Sequence, residues 1–513
     1  MAHDHEHEQV DVIIVGAGIS GVSAAYHLQQ HCPTKRFAIL EARADVGGTW
    51  DLFRYPGIRS DSDMHTLGFK FRPWREAKSI ADGPSILSYV KQTVAEEGIK
   101  PHIRLQHALV AANWSSEQSC WQLSIDKTSA GGVVESVEMS CSMLLMCSGY
   151  YNYSEGHTPE FEGFDDYKGQ VVHPQHWPQS LDYADKEVLV IGSGATAVTL
   201  VPAMAETAKK VTMVQRSPTY VVSRPDQDKL ANLLRKILPE KVAYAITRWK
   251  NITLQRWMYN RTRSQPEKVK QSLLDMVRGH LGPDFDVDTH FTPRYNPWDQ
   301  RLCLVPNADL FEALKSKRAE VVTDQIAKFT ECGLQLASGK ELTADIIVTA
   351  TGLKLQWLAG VKFSRDEQAI DFANTYTYKG MMYSGVPNLI QTFGYINASW
   401  TLRADLTSEF ACRVINHMDE LGVAHATPQL RAEDQSMPAR PWIDDFSAGY
   451  MQRVMHLFPK QGDRAPWMNT QNFALDKKMI ANAPLEDGAL IFSNDKSVSD
   501  VVELPQERAQ SAG

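Results

Sequence analysis

Two glycine cradles of similar spacing occur in this chain, each behind a short apolar run. In DVIIVGAGISGVSAAYHL (11–28), Gly16, Gly18 and Gly21 stand as GxGxxG. The first glycine permits a tight turn, the second lets backbone approach a pyrophosphate, and the third lets a helix pack on a strand. Free N–H groups at the start of that helix then face the phosphates. The next apolar run, FAILE, ends in Glu41, twenty residues after Gly21, where a carboxylate meets a ribose hydroxyl pair. In KEVLVIGSGATAV, Gly192, Gly194 and Ala197 form GxGxxA, and the following VTMVQRS ends in Arg216 and Ser217 with no acid. An acid there would repel a 2′-phosphate, whereas arginine binds one with forked donors. A plain surface charge is the alternative reading of Arg216. The first cradle thus suits FAD and the second NADPH. A protein with two nicotinamide sites is the less economical reading.

These cradles require strands and helices in alternation. Val12–Val15 and Val188–Ile191 read as buried parallel strands, each feeding a helix. A helical segment, SILSYVKQTVAEEG, precedes strands around 103–126 and 133–147, and ADIIVTATG (345–352) reads as another strand ending in a small-residue turn. The expected class is α/β, with two Rossmann-like dinucleotide-binding domains, the second nested in the first. The expected division is a solvated tail over 1–9, FAD-binding parts at 10–154 and 345–480, an NADPH-binding domain at 155–344, and a C-terminal extension at 481–513.

Residues 226–290 read as a helical insertion, with Leu230, Leu233, Leu234 and Ile237, then Val242, Ala245, Ile246 and Trp249, at helical spacing. Its stretch 226–280 holds 12 Lys/Arg against 5 Asp/Glu on a chain whose net charge is −8. Helices packed on the core with a solvated basic face is the plainer expectation. An electropositive lid for NADPH, or contact with an anionic membrane surface, is the functional one.

Length and composition bound the rest. At 513 residues the chain exceeds one core. The net charge of −8 argues against general nucleic-acid binding. Seven scattered cysteines without CxxC fit a reducing compartment and argue against structural zinc or a dithiol redox centre. MAHDHEHEQ has no signal-peptide pattern, and no apolar run reaches the ~20 residues that span a bilayer. A cytoplasmic protein without a bound metal is expected.

Longer motifs carry a resemblance. EARADVGGTWDLFRYPGIRSDSDMHTLGFKFRPW (41–74), YNPWDQRLCLVPNADLF (295–311), FGYINASWTLRADL (393–406) and LFPKQGDRAPW (457–467) resemble the class B flavoprotein monooxygenases over nearly the whole chain. The likeness is nearest to Baeyer–Villiger monooxygenases of the mycobacterial ethionamide-activating type. YKGQVVHPQHWP (167–178) is similar to the family fingerprint FxGxxxHxxxW, through Gly169, His173 and Trp177, with Tyr167 in place of phenylalanine. A buried Tyr167 hydroxyl needs a partner.

The resemblance implies a chemistry. NADPH reduces FAD, O₂ adds at the flavin C4a, and the resulting peroxide converts a ketone to an ester or lactone when anionic, or oxidises a sulfide when protonated. A cation ~4 Å away is worth about 4 kcal/mol to that anion at intermediate dielectric, before desolvation. By the same resemblance, Arg301 is that cation and Asp61 orients it, with Arg59 and Asp63 near enough to exchange roles and a turn-capping Asp61 as the alternative. Gln300 replaces a lysine common among relatives. Gly48, Thr49 and Trp50 form a flavin-contacting turn, and Asn397, Ser399 and Trp400 lie near flavin or substrate; core packing is the alternative for Trp50, Asn397, Ser399 and Trp400. His173 and Trp177 read as a hinge rather than as catalysts. An N- or S-oxygenating flavin monooxygenase is the competing enzyme, and a non-catalytic FAD/NADPH sensor the competing class.

Overall fold

The computed structural model describes residues 8–444 and 446–495. Its larger sheet is built on the strand Glu8–Val15, which lies parallel between Phe37–Glu41 and Val134–Met146, with Val12 opposite both Phe37 and Met143. The central strands are apolar on both faces because the helix Ile19–His31 covers one side and a second core the other. Antiparallel strands His107–Ser115 and Cys120–Thr128 extend this sheet beyond Val134–Met146. Gly83–Glu96 forms the expected helix, started by the Asp82 carboxylate, which accepts from Ser85 N.

The smaller sheet is wholly parallel, in the order Ala319–Thr323, Lys210–Gln215, Glu187–Ile191, Ile346–Thr349, Gln170–Val172. This corrects the expectation that the chain re-enters the FAD part at 345. Ile346–Thr349 is buried throughout and lies inside the second sheet, so the return comes after Gly352. The two crossings between the sheets pair with each other. Tyr151–Gly156 and Leu353–Leu355 form an antiparallel ribbon, and Gln356 N donates to Tyr150 O at 2.9 Å where both strands reach the first sheet.

Both ends also differ from expectation. Glu8 and Gln9 pair with Met139 and Ser140, so strand replaces the last two residues of the expected tail; residues 1–7 lie outside the described residues. Leu490–Ser493 pairs with His425–Pro428, so the start of the expected C-terminal extension is tied into the fold, and 496–513 lie outside the described residues.

The insertion consists of helices Lys229–Ile237, Glu240–Ser264, Pro266–Leu281 and Val287–Phe291. Pro239 and Pro266 punctuate it, since proline fits a first helical turn but not an interior. The helices pack on the core through Tyr244, Leu274 and Val277, as the plainer expectation has it, but the apolar rows at 230–249 do not supply that packing: Leu230, Leu233, Ile237, Val242, Ile246 and Trp249 are exposed. The long helix turns a polar face inward instead. Arg248 donates to the carbonyls of His65, Thr66 and Gly68 at 2.8–3.2 Å and to Asp405 at 3.3 Å. Those carbonyls end a short helix and need donors, which fixes the inward side.

Candidate active site

The first cradle is closed by its own backbone. A Cβ on Gly21 would stand 1.8 Å from Gly16 O, so only glycine lets helix and strand approach this closely. Glu41 is buried, and its two carboxylate oxygens accept from Ala17 N at 2.8 Å and Arg43 N at 2.9 Å. Burial pushes its carboxyl upward against those two bonds. Held so, Glu41 keeps lone pairs for hydroxyl donors on the cavity side. In the second cradle, nothing lies within 4 Å of a Cβ built on Gly194, so the backbone there faces the open cavity. Ser193 Oγ donates to Ser217 O at 2.9 Å, joining the cradle to the residue after Arg216. Arg216 is exposed and has neither an ion pair nor a side-chain hydrogen bond among the described residues.

Both cradles open into one cavity of about 1160 Å³. Gly16, Gly18 and Glu41 line it, as do Gly48, Thr49 and Trp50 from the turn after the second strand. Gly192, Gly194, Arg216 and Ser217 line the far side. Gly21 and Ala197 sit behind the wall, as packing residues should.

Asp61 and Arg301 face each other across the middle. Arg301 Nη1 donates to Asp61 Oδ2 at 2.8 Å, and Nε and Nη2 point to Tyr450 Oη and Tyr150 Oη, each at 3.4 Å. Tyr450 foremost, then Tyr150 and Asp61, hold Arg301 above the ordinary arginine range despite burial. Burial pushes Tyr151 up to about 12 and Tyr150 well above its ordinary value, and Asp61 is the one carboxylate in contact with Arg301 among the described residues. The exchange of roles between neighbours does not occur. Arg59 pairs with Asp309, and Asp63 caps the helix Met64–Leu67 while accepting from Asn251 Nδ2 at 2.8 Å.

Trp400 stacks on Tyr150 with centroids 5.3 Å apart, donates to Ser20 Oγ at 2.7 Å, and lines the cavity. Asn397 does not line it; its Nδ2 donates to Gln471 O at 3.1 Å, and Ser399 Oγ lies 2.6 Å from Thr66 Oγ1. Those two fasten the loop that carries Trp400. Tyr150, Tyr151 and Tyr450 are absent from the sequence reading. The tandem tyrosines in CSGYYNY, after a small-residue turn, were a signal available for the first two, but Tyr450 has none.

The fingerprint lies outside the cavity wall. Tyr167 is buried against Phe329 and its hydroxyl donates to Ala344 O at 3.0 Å, which supplies the needed partner. A Cβ on Gly169 would meet that hydroxyl at 2.2 Å. His173 Nε2 donates to Gly352 O and its Nδ1 accepts from Gln175 N, each at 3.2 Å. The ring packs over Gly156, so it touches both strands of the inter-sheet ribbon. Trp177 packs edge-on to Tyr183 beside the second sheet's core.

Residues 81–275 match the family profile described as flavin-binding monooxygenase-like, and 14–82 match that of an NAD(P)-binding Rossmann-like domain. The FAD-containing monooxygenase EthA of Mycolicibacterium smegmatis is 52% identical over 491 residues, covering 96% of this chain and 98% of its own. The chain belongs to the FAD-containing monooxygenases. The probable FAD-binding monooxygenase AlmA of Acinetobacter baylyi, another member, is 46% identical over 495 residues, covering 96% and 98%. In fold, this FAD-containing monooxygenase is similar to an oxidized steroid monooxygenase bound to NADP, at a TM-score of 0.76 and 20% identity, covering 94% of this chain and 99% of that one. A flavin dinucleotide fits the first cradle on its own chemistry: a carboxylate for ribose, a helix start for pyrophosphate, and the Gly48–Trp50 turn beside them.

Proposed function

We propose that the protein is an FAD- and NADPH-dependent Baeyer–Villiger monooxygenase that converts ketones to esters or lactones, with sulfoxidation as a side activity. The observation that carries this reading is the Asp61-held guanidinium of Arg301 inside a cavity that joins both cradles. Gly16, Gly18, Glu41 and the Gly48–Trp50 turn hold FAD. Gly192, Gly194, Arg216 and Ser217 hold NADPH, with Arg216 reading the 2′-phosphate. FAD supplies the hydride acceptor and, with O₂, the oxidant. Arg301 keeps a permanent positive charge where negative charge develops, and Asp61 with Tyr150 and Tyr450 fixes its direction. Trp400 and Tyr150 form an aromatic wall that excludes water from that region. Seven free thiols suit a reducing, cytoplasmic setting.

The test is incubation with NADPH, O₂ and a panel of methyl and cyclic ketones. Esters and lactones are expected in the products. Peroxide without ester across the panel defeats the reading. A second reading, oxygenation of sulfur or nitrogen, fits the flavin-binding monooxygenase-like match over 81–275 equally well. Its signature is sulfoxide or N-oxide formation with no ester.

A further inference from the structure

Among the described residues, fifteen large hydrophobic side chains are exposed, and eight of them fall between 230 and 257. On the short helix Lys229–Ile237 they include Leu233 and Ile237, 53% and 66% exposed. On the long helix Glu240–Ser264, Val242, Ile246, Trp249 and Trp257 repeat at helical spacing, and the two tryptophans are 69% and 56% exposed. The opposite side of the long helix is bonded into the protein: Tyr244 Oη donates to Phe69 O at 3.0 Å, Arg248 to three carbonyls, and Asn251 to Asp63. The apolar stripe therefore faces outward because the inward side is already committed.

Cations border that stripe. Lys229, Lys236, Lys241 and Arg256 have no ion pair among the described residues, and Arg261 lies over the Trp257 ring at 5.6 Å. Glu240, the one carboxylate of the two helices, is taken by Arg75, whose Nε donates to it at 2.6 Å. Residues 226–280 carry +7 on a chain of −8.

We propose that this face docks on an anionic lipid bilayer, both helices lying in the headgroup plane with Trp249 and Trp257 at the acyl boundary. Tryptophan, branched aliphatics and a rim of lysine and arginine are what such an interface takes up, through apolar burial and attraction to anionic headgroups. No helix among the described residues is long and apolar enough to cross a membrane, so the contact is with one leaflet. A second copy of the chain is the poorer occupant, because a two-fold contact would set this basic face against itself. The docked face is one helix diameter, about 10 Å, from the turn that carries Asp63.

The test uses the FAD-loaded full chain floated with phosphatidylcholine vesicles, with and without phosphatidylglycerol. Binding to phosphatidylglycerol vesicles is expected, weakened at least about tenfold by high salt or by phosphatidylcholine alone. The double variants Trp249→Ser/Trp257→Ser and Lys236→Glu/Lys241→Glu should each lower that binding about tenfold or more, with FAD content and vesicle-free NADPH oxidation unchanged. Absence of vesicle binding overturns the proposal, as does equal binding by both variants. A wild-type dimer that the tryptophan variant converts to monomer also overturns it, since a second copy would then cover the face.

Discussion

Arg301 and Asp61 stand 240 residues apart in the chain and meet at 2.8 Å, joining the loop behind the first cradle to the segment that follows the second. No second carboxylate pairs with Arg301 among the described residues, and its guanidinium lines the cavity.

Arg301→Ala should lower ester formation at least about a hundredfold, the usual scale for removing a group that stabilises developing charge. Anaerobic bleaching of the flavin by NADPH should persist. Product analysis beside stopped-flow reduction checks both, and retained ester formation removes Arg301 from this role.

Arg216→Ala should reduce the NADPH-over-NADH ratio of kcat/KM by about tenfold or more, since a charge-assisted bond to phosphate is worth roughly 1.5–3 kcal/mol. NADH kinetics should hardly change. An unaltered ratio would assign the 2′-phosphate to another residue.

His173→Ala removes the side chain that touches both strands of the ribbon. If the ribbon is the joint through which the two sheets move, turnover should slow and hydrogen peroxide should rise per NADPH consumed, with FAD retained. A peroxide assay at equal NADPH consumption measures this; normal coupling excludes the hinge role.

Tyr167→Phe leaves Ala344 O without its 3.0 Å donor while keeping the ring on Phe329. Stability should fall by about 1 kcal/mol with activity intact. Urea unfolding gives the first value and steady-state kinetics the second.

Burial holds His173 below the ordinary histidine value of 6.5, and does the same to His290 and His425. Below that value the unfolded chain binds more protons than the folded one, so the stability these residues contribute is present above about pH 6.5 and is lost as pH falls. The urea midpoint should drop between about pH 7.5 and 5.5, and His173→Gln should show a smaller drop than wild type.

What the residues reveal in advance depends on whether the constraint is local. Gly16, Gly21 and Glu41 are legible because the turn, the close approach of helix and strand and the placing of a carboxylate at the cavity are set within one strand–helix–strand unit. Strand partnership is not local, which is why Ile346–Thr349 was assigned to the wrong sheet. Helical spacing at 230–249 marked a stripe without saying which way it faced, and the partners of Arg248 decide that. Asp61 and Arg301 were legible only through long motifs, and Tyr450 carried no pattern.

The bond from Gln356 N to Tyr150 O has a consequence for how the chain can be rebuilt. Everything from 151 to 355 leaves and re-enters at one doorway, so it is a cassette held between adjacent splice points. Joining 150 to 356 would close the gap without stretching backbone, and another cassette with a different coenzyme preference would need to match two neighbouring strand ends, the face that meets Leu52, Phe53 and Tyr55, and the bonds that Tyr244, Arg248, Asn251, Arg301 and Asp309 make with the first part.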